Sequence, residues 1–113
     1  MPSITGSTIH LFGAIALISG ICGLLNPSYN LQQLNLPADA APAIQASSLG
    51  AIAIGVFYIL AAFQENRAFF KLTLLTRTLT AIWAMRVGGG WTVLGRLEGL
   101  GALVTACALV LER

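Results

Sequence analysis

The sequence predicts an all-α integral membrane protein: one four-helix bundle, up-down-up-down, with one long loop between its first and second helices. Three observations lead there. The 113 residues are 57% hydrophobic and only 9% charged, whereas soluble domains carry about 25% charged residues. A membrane span needs about 20 apolar residues, and the chain divides into four such runs. The runs break at Asn26-Pro27, at Gln64-Glu65-Asn66-Arg67 and at Gly88-Gly89-Gly90. Four spans use up the length, so residues 1–113 read as a single transmembrane domain with no separate soluble unit. The mean hydropathy of +0.83 agrees.

The first span runs from Thr8 to Leu25. Ser7 or Thr8 can cap its start, and Pro27 ends it because proline cannot continue the hydrogen-bond ladder. The N-terminus lacks the basic flank of a secretory signal, so this run reads as a retained span. Gly13, Ala16, Gly20 and Gly23 form a small-residue stripe that lets a second helix approach closely in lipid. From Pro27 to Pro42 the chain holds three prolines and the amides Asn30, Gln32, Gln33 and Asn35. This long connection reads equally as a plain tether or as a lid over one mouth of the bundle.

The second span runs from Ala43 to Phe63, with Ser48, Ala51, Gly55 and Ala62 as its own small stripe. Gln45 sits near the loop end and Tyr58 towards the far end. The third runs from Ala68 to Val87, and Thr73, Arg77, Thr80 and Ala84 share one of its faces at helical period. The fourth runs from Trp91 to Leu111, with Trp91, Gly95, Glu98, Ala102 and Thr105 on one face. Gly95 and Gly99 make a GxxxG pair, a close-packing signal. Trp83 and Trp91 flank the triple glycine as an aromatic belt would. The glycine stripes serve contacts within one chain and between chains equally well, so a homo-oligomer stays open.

Charge and cysteine usage exclude several classes. The net charge of +2 is too small and scattered for nucleic acid. Arg67, Lys71 and Arg113 on one side against Arg86 and Arg96 on the other is a weak positive-inside bias towards cytosolic termini. Cys22 and Cys107 read as inert core thiols, with no metal-ligand spacing. No P-loop, dinucleotide fingerprint or HExxH motif occurs, and neither a metal nor a cofactor is expected. His10 stands alone at the end opposite the long loop and reads as an interfacial residue.

Two ions fall where a buried segment tolerates them least. A straight hairpin about position 89 sets Glu98 level with Thr80, and Arg77 about 4.5 Å deeper at the helical rise per residue. A charge at mid-bilayer costs roughly 2.5–3.5 kcal/mol on insertion scales and usually faces the bundle interior. Arg77 and Glu98 therefore read as a candidate site or as a structural ion pair. With Asp39 as a second carboxylate, the set suits general acid–base work: Glu98 and Asp39 as acid and base, Arg77 stabilising developing negative charge. Gln45, Tyr58, Thr80, Trp83, Arg86 and Trp91 are the candidate substrate-binding residues. Opening an epoxide, closing an ether ring or shifting a double bond in a lipophilic molecule needs those parts and no cofactor.

The stretch AIQASSLGAIAIGVFYILAAFQENRAFFKLTLLTRTLTAIWAM, Ala43 to Met85, with four short spans and a long first connection, resembles the DoxX-like small membrane proteins. Its layout is also similar to that of the ergosterol-biosynthesis scaffold family of the endoplasmic reticulum. A basic residue common early in the second span of DoxX-like chains would fall near Ser47 or Ser48, and serine stands there instead. The resemblance implies a membrane of the endoplasmic reticulum and a lipophilic intermediate of the kind made beside fungal polyketide and terpenoid pathways. It implies a cyclase, isomerase or hydrolase, or else a non-catalytic scaffold for membrane enzymes. Proton-coupled export, as in small multidrug exporters, is a third reading and would have to use Glu98.

Overall fold

Ser3 sets the first helix. Its side chain accepts from the Gly6 amide at 2.8 Å, so α1 (Ile4–Leu25) begins at Ile4 and not at Thr8. The expected caps do other work: Thr8 donates its hydroxyl back to the Thr5 carbonyl at 2.7 Å. The computed structural model describes residues 3–112, which leaves Arg113 and its share of the charge bias outside the described residues. Among them the structure is wholly helical, with α2 at Pro27–Gln33, α3 at Ala41–Phe63, α4 at Arg67–Val87 and α5 at Trp91–Leu111. A 3-10 turn at Ala38–Ala40 leads into α3.

The long connection is thus more ordered than the sequence suggested. Pro27 takes the first turn of α2, where its missing N–H costs nothing, and Asn35 turns the chain with a left-handed φ of 55°. Asn66 starts α4 by accepting from the Phe69 amide at 3.1 Å. Gly88 and Gly89 adopt φ of 79° and 59°, a backbone that glycine takes without steric penalty, and so fold α5 back onto α4.

Three segments are long and apolar enough to cross a membrane: Ile4–Leu25, Ala38–Phe63 and Trp91–Leu111. The chain has the character of a membrane protein. α4 is of similar length, but Arg67, Lys71, Arg77 and Arg86 lower its hydropathy, so of the four expected spans three meet the measure. Leu11, Ile18, Phe63, Leu75, Leu100 and Val110 are all more than half exposed. A water-soluble monomer rarely shows so much apolar surface; hydrocarbon solvates it. Cys22 and Cys107 are exposed too, which corrects the expectation of buried thiols. A thiol behaves as a small hydrophobe and suits a lipid-facing position.

Packing is uneven. α1 lies along α3 and α4 along α5, and α1 also meets α5 and, more lightly, α4. α3 forms no comparable interface with α4 or α5. The result is a flattened body of 47 × 26 × 16 Å, two hairpins joined mainly through α1, and not an evenly closed ring. The small-residue stripes explain the pairs. A Cβ on Gly55 would stand 2.7 Å from the Gly13 carbonyl oxygen, and one on Gly20 2.6 Å from the Ser48 carbonyl oxygen. Gly95 packs on Met85 and Ala81 of α4. The stripes therefore act within the chain.

The hairpins meet firmly at two levels. Where the N-termini of α1 and α4 approach the C-termini of α3 and α5, Ile9, Ala62, Phe70 and Leu109 form a buried core with one residue from each helix. At the other end α2 packs on α1 and α3, and Gly90 lies directly against the Gln33 carbonyl. Between the two levels the packing loosens around Arg77.

Candidate functional site

Arg77 sits in the middle of α4 and is only 3% exposed. Its Nη2 donates to Thr73 Oγ1 at 3.2 Å, and that hydroxyl in turn donates to the Phe70 carbonyl at 2.7 Å. The guanidinium carbon lies 4.8 Å from the centre of the Phe12 ring and 5.4 Å from that of Tyr58. Both distances fall within the range of attraction between a cation and a ring face. Nε and Nη1 have no hydrogen-bond partner.

Arg77 lines a cavity of about 170 Å³ to which α1, α3, α4 and α5 all contribute. α1 supplies Phe12, Ile15, Ala16 and Ser19, and α3 supplies Ala51, Ile54 and Tyr58. Arg77 comes from α4, and Leu94, Leu97 and Glu98 from α5. The wall is mostly hydrocarbon and aromatic, with a guanidinium, a carboxyl and two hydroxyls set into it. Glu98 is half-buried. It shares the cavity with Arg77 without a hydrogen bond to it, since the one bond that the guanidinium makes is to Thr73. The direct ion pair drawn from the hairpin register is therefore replaced by two ionisable side chains lining one hollow.

Of the sequence candidates, the cavity gathers Arg77, Glu98 and Tyr58 and leaves the others outside its lining. Asp39 is exposed on the 3-10 turn before α3. Gln45 is turned to the end of α1, where its Nε2 donates to the Leu24 carbonyl at 3.4 Å. Thr80 returns its hydroxyl to the Thr76 carbonyl at 3.0 Å. Trp83 and Trp91 meet edge to face at 5.2 Å beside the glycine turn, and Arg86 is exposed in the last turn of α4. Phe12 is a site residue that the sequence did not single out. A ring face is one way to stabilise a buried guanidinium, and nothing in the spacing of the first span marks Phe12 for it.

A second polar cluster had no sequence signature. Glu65, in the α3–α4 turn, accepts from the Ser3 amide at 2.9 Å. Glu112, just past α5, accepts from the Ile4 amide at 2.8 Å and from the Thr5 amide and hydroxyl at 2.6 Å each. α1 has no acid in its own first turn, so two distant carboxylates satisfy its free N–H groups and its positive dipole end. The Thr5 hydroxyl, then the Thr5 amide, hold the Glu112 carboxyl below its ordinary value. His10 lines an open groove with Ser7, Phe63 and Glu65 at this end, with its ring edge-on to Phe63 at 5.2 Å. That groove is separate from the Arg77 cavity.

No family, curated protein or solved structure matches this chain in the three comparisons made.

Proposed function

We propose that the protein is a cofactor-independent membrane enzyme that isomerises a lipophilic molecule by moving a proton within it. One observation carries the reading: a buried arginine whose Nε and Nη1 have no partner lines the same cavity as the Glu98 carboxyl. Buried donors without acceptors are expensive, about 1–3 kcal/mol each and more on an ion. An arginine kept in that state suits an acceptor that comes and goes.

The single carboxyl narrows the chemistry. Opening an epoxide with water, or closing an ether ring, calls for an acid and a separate base, and Asp39 lies outside the cavity. A double-bond shift next to a carbonyl needs one carboxylate alone. Glu98 takes a proton from the carbon beside the carbonyl, the electron pair moves onto the carbonyl oxygen, and Arg77 holds that oxyanion. Glu98 then returns the same proton to the far carbon. Atoms and charge balance with no other reagent. Phe12 and Tyr58 fix the guanidinium by their ring faces and shut out water.

α4 serves as the fourth span in this reading. Its hairpin with α5 supports that, as do Arg67 and Lys71 near one end and Arg86 near the other, where long side chains reach the interface. Residence in the endoplasmic reticulum with cytosolic termini, and kinship with DoxX-like or scaffold proteins, rest on layout alone. The scaffold reading loses its main sequence signal, because the glycine stripes pack helices of the same chain.

Profiling of lipophilic metabolites in cells that carry Glu98→Gln in place of the wild type tests the proposal. The expected result is accumulation of an isomer of the normal product, with Asp39→Asn leaving the profile unchanged. A Glu98→Gln profile identical to wild type overturns it.

A further inference from the structure

We infer that the ligand of this cavity is a neutral molecule with a one-ring-sized head bearing a carbonyl-type acceptor oxygen, and that it enters sideways from the bilayer. The inference rests on the proposed isomerase reading for its setting but draws on separate observations. The first is size. At about 170 Å³ the hollow is close to the 150 Å³ or so of an apolar cavity that accepts benzene. It lies below the roughly 300–1,000 Å³ of sites that enclose drug-sized ligands. Only the head of a larger molecule fits.

The second observation is the mouth. Ile54 on α3 and Leu97 on α5 both line the cavity and are 49% and 41% exposed. Those two helices form no packed interface, so the hollow opens between them towards the surroundings of the helices. Ile54 lies well inside the apolar segment Ala38–Phe63 and Leu97 inside Trp91–Leu111. The opening therefore faces hydrocarbon, and a tail left outside it stays in lipid.

The third observation is polarity. Nε and Nη1 of Arg77 are donors without a partner, covered by the surrounding side chains, and a small shift of the guanidinium as the ligand enters turns them to an acceptor oxygen on it. A charged head would have to cross hydrocarbon to reach this mouth and would bring a second anion towards Glu98. A neutral carbonyl meets neither obstacle.

The test uses para-dodecylacetophenone, labelled at its carbonyl carbon, with the full-length protein in phosphatidylcholine nanodiscs. The carbonyl carbon resonance should move downfield on binding, as hydrogen bonding to the guanidinium requires. Arg77→Met should abolish the shift and weaken binding by about ten- to a hundredfold, the range for a hydrogen bond to a charged group. Ala51→Leu, which fills the cavity and leaves Arg77 in place, should also abolish it. Dodecylbenzene should bind more weakly than the ketone. No shift with the wild type, a shift that survives Ala51→Leu, or tighter binding of para-dodecylbenzoate would each overturn the inference. The probe needs no proton transfer. Binding of the ketone together with an unaltered Glu98→Gln metabolite profile removes the catalytic proposal alone, and the reverse pair of results removes only this ligand class.

Discussion

Replacing Arg77 by methionine should leave the protein at least as stable. The two side chains are similar in length, and methionine adapts readily to an irregular space. The variant gains by removing two buried polar atoms, Nε and Nη1, that have no partner. At about 2 kcal/mol for each, that is about 4 kcal/mol. It loses the bond from the charged guanidinium to Thr73, worth about 2 kcal/mol, and the contacts with the Phe12 and Tyr58 rings at about 1 kcal/mol each. The two sides balance to about zero. That agrees with the general finding that apolar replacements of buried ions are neutral or stabilising by about 1–4 kcal/mol. Equilibrium unfolding in mixed detergent micelles measures it, with tryptophan emission as the signal. A loss of about 2 kcal/mol or more, comparable to breaking a buried ionic contact, would refute the reasoning. Arg77 would then be a clamp between hairpins rather than a group held ready for a ligand at some expense of stability.

Gly55→Leu should destabilise the α1–α3 pair by about 1–3 kcal/mol, the usual range for overpacking, because its Cβ would lie 2.7 Å from backbone atoms of Gly13 and Leu17. Gly50→Leu on the same helix, with nothing within 4 Å of the added carbon, should change the same unfolding curve by less than about 0.5 kcal/mol. For Glu112, hydrogen bonds from Thr5 and Ile4 lower the folded-state carboxyl below its ordinary value of 4.5. The stabilising effect is therefore present above that value and is lost as pH falls through the folded one. Protection of the Ile4 and Thr5 amides, taken against their intrinsic exchange rates at each pH, should fall as the pH drops below 4.5 in the wild type and stay level in Glu112→Gln. Equal acid sensitivity in both proteins would count against the cap.

How much of this was legible in the sequence depends on which interaction sets each feature. The breaks at Pro27 and at the triple glycine are local backbone effects, and the helix ends they produce fall at Leu25, Val87 and Trp91 as expected. The face carrying Thr73, Arg77 and Ala84 follows from helical period alone, and all three are buried. The start of α1 was missed because its cap comes partly from Glu65 and Glu112, residues 62 and 108 positions away along the chain from their amide donors. The pairing of Arg77 with Glu98 was overdrawn because a register argument treats the hairpin as isolated. It leaves out α1 and α3, whose Phe12 and Tyr58 rings hold the guanidinium instead.

The uneven packing gives those observations a common cause. Glycine stripes draw α1 onto α3 and α5 onto α4 at close range, and such contacts are rigid because no side chain intervenes to adjust. Each hairpin is therefore fixed by itself, and the space left between them is set by what bridges them. Phe70, a large ring with no exposure, joins them at one end, and the short helix α2 resting on Gly90 joins them at the other. Neither bridge reaches the middle, where α3 meets α4 through the Tyr58 ring beside Arg77 and not through close backbone packing. Hydrocarbon side chains could have closed that gap. Its wall instead presents Arg77 and Glu98, two ionisable groups that are costly to place inside a membrane, and that cost is what the proposed use of them has to outweigh.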